Sequence, residues 1–264
     1  MTLPCTNQTR LRAVLMTLTL GGLALAAGAH ADEWGYAGAH APAFWAKTPG
    51  WEACAGTAAT ARQSPIDLDK AVTDRQLQRL RVDLNEAPVD LINNGHTIEE
   101  EYEAGSSLIV DGVRYDLAQF HFHAPSEHTV HGEHAAMEMH VVFAAPGSDK
   151  KVVIALLYTV GRKNAFLAEL IGGGVPQKSG DKIEAPSRHV NIANALTDTS
   201  QYYTYAGSLT TPPCSETVTW FVLKERAELS DDQLEAFRKV LGNNVRPLQK
   251  LNHRVAHVTP AATR

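Results

Sequence analysis

Two histidines alternate in Gln119-Phe120-His121-Phe122-His123, and a third stands in Met137-Glu138-Met139-His140-Val141-Val142. Side chains on an extended chain alternate between faces, so His121 and His123 point the same way. Glu138, His140 and Val142 likewise share one face of their own run. Were these two strands neighbours, three neutral imidazoles would converge and leave a fourth tetrahedral position open. Three protein ligands plus an exchangeable water make a catalytic zinc site, whereas a structural site is closed by a fourth protein ligand. Imidazole also suits copper, iron, nickel and cobalt. No Asp or Glu stands where a two-histidine, one-carboxylate iron site would need it, so zinc leads. With 12 His in the chain, a His-x-His pair alone carries little weight.

The elements that must position these residues read mostly as strands. Period-two and apolar runs place them at 89–93, 97–102, 107–110, 113–123, 136–143, 151–159, 201–208 and 218–223, punctuated by Gly105, Asp111-Gly112 and Pro146-Gly147. Strict alternation along 113–123 would set Leu117, Gln119, His121 and His123 on one face. Helices are few. The clearest covers 231–241, with Ser230 as N-cap, Gln233 completing a capping box, and Leu234, Phe237 and Leu241 as its apolar stripe. Acidic Asp231 and Asp232 start it, Arg238 and Lys239 end it, and Gly242 suits the position after it. Shorter helices are expected over 164–171 and 188–196.

The first residues read as a targeting segment. Arg10 and Arg12 precede an apolar run over 13–27, followed by the small-x-small pattern Ala29-His30-Ala31. This predicts a signal peptide over residues 1–31, cleaved after Ala31, and one domain over residues 32–264. The apolar run is short for a membrane anchor and is broken by Thr17, Thr19, Gly21 and Gly22. No later segment is long and apolar enough to span a bilayer. Cleavage removes two basic residues and no acidic one, making the formal net charge of −5 more negative. An acidic chain argues against nucleic acid as a partner. Cys5 leaves with the leader, and Cys54 and Cys214 remain as an even pair. In an exported protein such a pair predicts one structural disulfide rather than a reactive thiol or a metal pair.

Taken in order, a series of motifs resembles the alpha-class carbonic anhydrases, of bacterial type. They are Trp34-Gly35-Tyr36, Gln63-Ser64-Pro65-Ile66-Asp67, Asn93-Asn94-Gly95-His96, the histidine segments above, Ser126-Glu127-His128-Thr129-Val130, Ser208-Leu209-Thr210-Thr211-Pro212-Pro213, Val218-Thr219-Trp220 and Asn244-Val245-Arg246-Pro247. The short link Ala124-Pro125 is similar to that of bacterial members. The resemblance implies a mainly β (α+β) single domain built on a large, mostly antiparallel twisted sheet with short peripheral helices. It implies reversible hydration of carbon dioxide to bicarbonate and a proton through a zinc-bound hydroxide, with ester hydrolysis as a possible side activity.

The resemblance also implies roles. His121, His123 and His140 would ligate Zn2+. Gln119 would accept from His121, Glu138 from His140, and a backbone carbonyl near Asn244 from His123. Thr210 and Glu127 would form the relay that orients the hydroxide, and the Thr210 N–H would receive a substrate oxygen. Val142, Val153, Leu209 and Trp220 would form the apolar substrate wall, with Thr211 on its polar side. His96 would shuttle protons, a task suited to a group titrating near neutrality. His128 is read as a buried structural histidine, and His131, His134, His189, His253 and His257 as surface residues. A non-catalytic binding protein on the same scaffold is the competing reading, and a zinc esterase the next, although no Gly-x-Ser-x-Gly motif occurs. The expected location is periplasmic or secreted, and the expected state a monomer or a homodimer.

Overall fold

Alternating burial converts these runs into one large sheet. A computed structural model describes residues 34–261, so the segment over residues 1–31 lies outside the described residues. In chain order the strands are β1 (Val72–Thr73), β2 (Arg81–Asp83), β3 (Glu86–Asn93), β4 (Ile98–Glu101), β5 (Ser107–Val110), β6 (Val113–His123), β7 (Thr129–Val130) and β8 (Glu133–His134). They continue with β9 (Met137–Ala144), β10 (Lys151–Val160), β11 (Lys182–Asn191), β12 (Tyr202–Gly207), β13 (Val218–Leu223), β14 (Ala227–Leu229) and β15 (His257–Val258). Three short α-helices, α1 (Pro42–Trp45), α2 (Ala165–Leu170) and α3 (Asp231–Leu241), lie among them. The main sheet runs β1-β15-β12-β13-β10-β9-β6-β4-β3-β11. Most pairs are antiparallel; β10 runs parallel to β13 and β14, and β1 to β15. The architecture is thus mainly β, with a mixed sheet and short helices.

Central β9 and β10 are buried along almost their whole length because both sheet faces are covered. On one face, Met137, Met139, Val141 and Phe143 join Phe120, Phe122 and the apolar residues of α2 and α3 in the main core. On the other, Val142, Val153, Ala155 and Trp220 form a second apolar cluster. The candidate site belongs to that second face. Helix α3 steadies it from behind: Phe237 packs on Phe122 at 4.6 Å between ring centroids. Full burial of such a side chain contributes about 1.5–3 kcal/mol. Helix α3 starts at the capping box of Ser230 and Gln233 and ends at Gly242, whose φ of 62° favours glycine.

Two expectations are corrected. Leu117 does not share the histidine face. The β6–β9 register shifts between Leu117 and Gln119, so a bulge at Ala118 turns Leu117 into the main core beside Phe120. The expected helix over 188–196 is instead the end of strand β11 followed by a 3-10 turn at Ile192–Asn194. As the edge strand on β3, β11 is largely exposed and polar, and its register shift between Ala185 and His189 accommodates Pro186. Such a strand carries little apolar alternation to read.

Glu100, on β4, is fully buried, and both its oxygens accept from the backbone N–H of Asp90, at 3.0 and 3.1 Å. Burial pushes its carboxyl up to about 7, opposed by the Asp90 N–H and Arg188 and reinforced by the Asp90 and Glu101 charges. The folded state therefore holds this proton more tightly than the unfolded chain does. Stability falls as pH rises from 4.5 to about 7, and the deficit persists above that. Glu100→Gln should raise stability by on the order of 2 kcal/mol near pH 8 and little near pH 4.5. Denaturant unfolding at the two pH values checks this; a gain independent of pH would contradict it. Among the described residues no helix is long and apolar enough to cross a membrane.

Candidate metal centre

The register of β6 on β9 makes His121 and His140 direct cross-strand partners, and His123 lies two residues further along the same face of β6. Their ring centroids are 5.1 Å (His121–His123), 5.2 Å (His121–His140) and 4.6 Å (His123–His140) apart. One nitrogen from each ring falls in a group whose members all lie within 4.8 Å of one another. The three come together because period-two alternation and strand pairing act at once.

Each ring has its other nitrogen engaged by an acceptor oxygen. His121 Nδ1–H donates to Gln119 Oε1 at 2.8 Å, His123 Nδ1–H to the Asn244 carbonyl at 2.8 Å, and His140 Nε2–H to Glu138 Oε1 at 2.8 Å. These bonds fix the tautomers and turn three bare lone pairs, His121 Nε2, His123 Nε2 and His140 Nδ1, toward one point. Burial holds His121 and His140 below the usual imidazole range; repulsion from the neighbouring rings adds to this, while Glu138 opposes it. Both shifts favour the neutral ring, the form whose lone pair a metal ion could take. His123 Nε2 is buried with no hydrogen-bond partner, and Glu127 Oε2, 3.7 Å away, is equally orphaned. An unpartnered imidazole lone pair beside two others, with an unpartnered carboxylate oxygen behind it, fits a divalent cation with nitrogen preference.

Behind the three rings, Glu138 is fully buried and saturated. Oε1 accepts from His140 and from His128 Nδ1–H (2.7 Å), and Oε2 from the backbone N–H groups of Glu127 (2.7 Å) and His128 (2.8 Å). Burial alone would raise this carboxyl, but His128 and His140 outweigh it and hold it well below the usual range. His128 is wholly buried, and its Nε2 lies 2.6 Å from the Tyr205 hydroxyl. His131, His134, His189 and His253 are exposed, and His257 partly so. His131 pairs with Asp69.

The same register lays down the apolar side. His140 pairs with Ala155, Val142 with Val153, and Val153 with Trp220, so one stripe of the second face runs from the histidines into an aliphatic wall. Leu209 packs against it, and the Trp220 ring stands 4.8 Å from that of His140. Trp220 Nε1–H holds the Ser208 carbonyl at 3.1 Å, tying the loop of Leu209, Thr210 and Thr211 to the sheet. Cys214, bonded to Cys54, closes that loop. Thr210 is buried, but the Thr210–Glu127 hydrogen bond expected from the resemblance is not formed among the described residues. Glu127 Oε1 instead accepts from the Arg246 backbone N–H at 2.8 Å.

A cleft lined by Trp34, Tyr36, His96, Glu99, His121 and Thr211 opens onto the centre. His96 stacks on Trp34 with centroids 3.7 Å apart, and Asn244 Nδ2–H donates to its carbonyl at 3.1 Å. The sequence reading assigned no role to Trp34, Tyr36 or Glu99. Glu99 was detectable in principle, because β4 begins two residues after His96 and its alternation could have been carried into the cleft.

The sequence profile described as eukaryotic-type carbonic anhydrase matches residues 40–259. A carbonic anhydrase of Neisseria gonorrhoeae is 37% identical over 249 residues, covering 93% of this chain and 95% of its own. The alpha-carbonic anhydrase of Thermovibrio ammonificans, solved with the inhibitor sulfanilamide, superposes with a TM-score of 0.79 at 39% identity. That match covers 86% of this chain and 99% of the other. Dioscorin complexed with ascorbate shares the fold at a TM-score of 0.78 and 31% identity, covering 88% of this chain and 100% of the other.

Proposed function

Because the chain belongs to the eukaryotic-type, or alpha-class, carbonic anhydrase family, we propose that it hydrates carbon dioxide reversibly to bicarbonate and a proton at a zinc ion held by His121, His123 and His140. One observation carries the zinc assignment: three bare imidazole lone pairs, each oriented by its own acceptor, converge beside an apolar wall. When bound, the zinc acidifies a coordinated water so that a nucleophile is available near neutral pH, an effect for which carbonic anhydrase is itself the standard example.

The chain's own residues do the rest. Gln119, Glu138 and the Asn244 carbonyl orient the ligand rings. Val142, Val153, Leu209 and Trp220 offer carbon dioxide a weakly holding apolar surface, suited to a substrate with no strong hydrogen-bonding handle. The Thr210 hydroxyl can accept one bond from the attacking oxygen while donating another to ionised Glu127, which aims a lone pair at the substrate carbon. For this, the Thr210 hydroxyl must reach Glu127 Oε2, which is buried and unpartnered in this structure. The Thr210 N–H receives a substrate oxygen, and Thr211 keeps that side polar. His96, on the cleft wall, passes the released proton to solvent.

Stopped-flow carbon dioxide hydration, with zinc loaded and with zinc chelated, tests this reading. Full activity in metal-free protein would defeat it. A second reading is a non-catalytic binding protein on the same scaffold, which dioscorin, solved with ascorbate, shares. The joint presence of His121, His123, His140, Thr210 and Glu127 favours catalysis. Ester hydrolysis would be a side activity of the same centre. The disulfide suits an oxidising compartment, consistent with a leader cleaved after Ala31 and a periplasmic or secreted enzyme.

His96→Ala should separate proton transfer from the chemical step. In weak buffer kcat falls, and added imidazole restores it. kcat/KM changes little, because it reports events before proton export. An unchanged kcat in weak buffer would transfer the shuttle role to another path and leave the metal centre intact.

A further inference from the structure

The carboxylate of Glu99 takes part in none of the roles above, yet it touches two of their supports. In the β4–β6 register Glu99 lies opposite His121. Gln119 Nε2–H donates to Glu99 Oε2 at 3.1 Å, while Gln119 Oε1 accepts from His121 Nδ1–H at 2.8 Å. Asn94 Nδ2–H makes a longer contact of 3.5 Å to the same Glu99 oxygen, and Asn94 Oδ1 accepts from the backbone N–H groups of His96 (3.0 Å) and Thr97 (2.9 Å). One carboxylate oxygen thus joins the residue that orients a metal ligand to the turn that presents His96.

We propose that Glu99 is a positioning residue of the metal centre: being an acceptor only, it dictates which end of Gln119 faces His121, and so which nitrogen of His121 is left for the metal. The inference rests on the metal-centre reading above and adds a residue to it.

The two ends of a glutamine amide have nearly the same shape, and only their partners tell them apart. Turned over, Gln119 would offer its NH2 to His121 Nδ1. That nitrogen would then have to accept, the proton would move to Nε2, and the lone pair meant for the metal would be gone. A turned amide would also set Gln119 Oε1 against a Glu99 oxygen, two acceptors with no hydrogen between them. The flip is therefore disfavoured at both ends of the amide, more strongly in this partly desolvated cleft than in bulk water. A rim charge serving only solubility would not need to collect amide N–H groups from both β6 and the His96 turn.

The test is the rate of zinc release to excess chelator, followed by absorbance, for wild type, Glu99→Lys, Glu99→Gln and the double variant Glu99→Lys/Gln119→Glu. Lysine only donates, so it should turn Gln119 over. Release should accelerate about tenfold or more, within the range found when an outer partner of a metal ligand is lost. Glutamine permits both orientations and should give a smaller acceleration. In the double variant the introduced carboxylate can accept from both the introduced ammonium and His121, so release should return to within about threefold of wild type. Thermal unfolding of the metal-free proteins confirms that all are folded; should Glu99→Lys fail to fold, Glu99→Gln carries the test. Wild-type release rates in both single variants would overturn the proposal. So would a double variant as leaky as Glu99→Lys, since that would mark general damage from the lysine rather than a turned amide. A wild-type chain that takes up no zinc would overturn the metal-centre reading and this inference with it.

Discussion

His123→Ala is expected to abolish zinc uptake and to reduce carbon dioxide hydration to the level of the metal-free protein. The effect should be the largest of any single substitution, for two reasons that reinforce each other. Among the described residues, His123 Nε2 is the one nitrogen of the three rings that is both buried and unpartnered, so its removal leaves two imidazoles at the proposed metal position. It also donates to the Asn244 carbonyl, and Asn244 in turn holds the Ala124 N–H (2.9 Å), the Phe122 carbonyl (2.9 Å) and the His96 carbonyl (3.1 Å). Leaving a buried carbonyl without its donor costs about 1–3 kcal/mol, so the metal-free variant should also unfold earlier than metal-free wild type. Metal analysis, stopped-flow hydration and denaturant unfolding of the metal-free forms check the three parts. Retention of one zinc per chain with full hydration would refute the ligand assignment.

Opening the Cys54–Cys214 bond is expected to destabilise the fold more than any surface change. The bond spans 160 residues, and chain-entropy arguments give about 5 kcal/mol as an upper figure for a loop of that length. Its surroundings indicate that the loss will be local to the site as well as global. Cys214 is fully buried and closes the loop carrying Thr210 and Thr211, and its carbonyl accepts from Gln63 Nε2–H at 3.1 Å. On the other side the Cys54 carbonyl accepts from Arg246 Nη2–H at 2.9 Å, and the Arg246 backbone N–H holds Glu127. The double variant Cys54→Ser/Cys214→Ser should therefore unfold at lower denaturant and show weakened hydration even where it remains folded. Equal unfolding midpoints with and without reductant, or two free thiols in the denatured, unreduced protein, would contradict this.

Local patterns carried much of this protein. Helix α3 was legible to its boundaries because its cap, apolar stripe, end charges and terminal glycine all lie within about a dozen residues and agree. Strands β5, β6 and β13 were likewise legible, their alternation or apolar runs bounded by turn residues. The same-face relation of Gln119, His121 and His123, and that of Glu138 and His140, follows from the two-residue period alone. Other features required contacts between distant residues. Only strand pairing could decide that His121 stands opposite His140, since register depends on every side chain along both strands. A single bulge sent Leu117 to the opposite face, and the alternation on either side of it gave no warning. Edge strand β11 was hidden because, half exposed, it needs no apolar pattern. The chain by itself thus determined that Gln119, His121 and His123 share a face, as do Glu138 and His140, and which chemistry they could perform. The tertiary structure decided which faces meet, bringing Asn244 from 121 residues away to His123 and setting Glu99 behind Gln119, because hydrogen bonds between distant segments form only once packing has set the register.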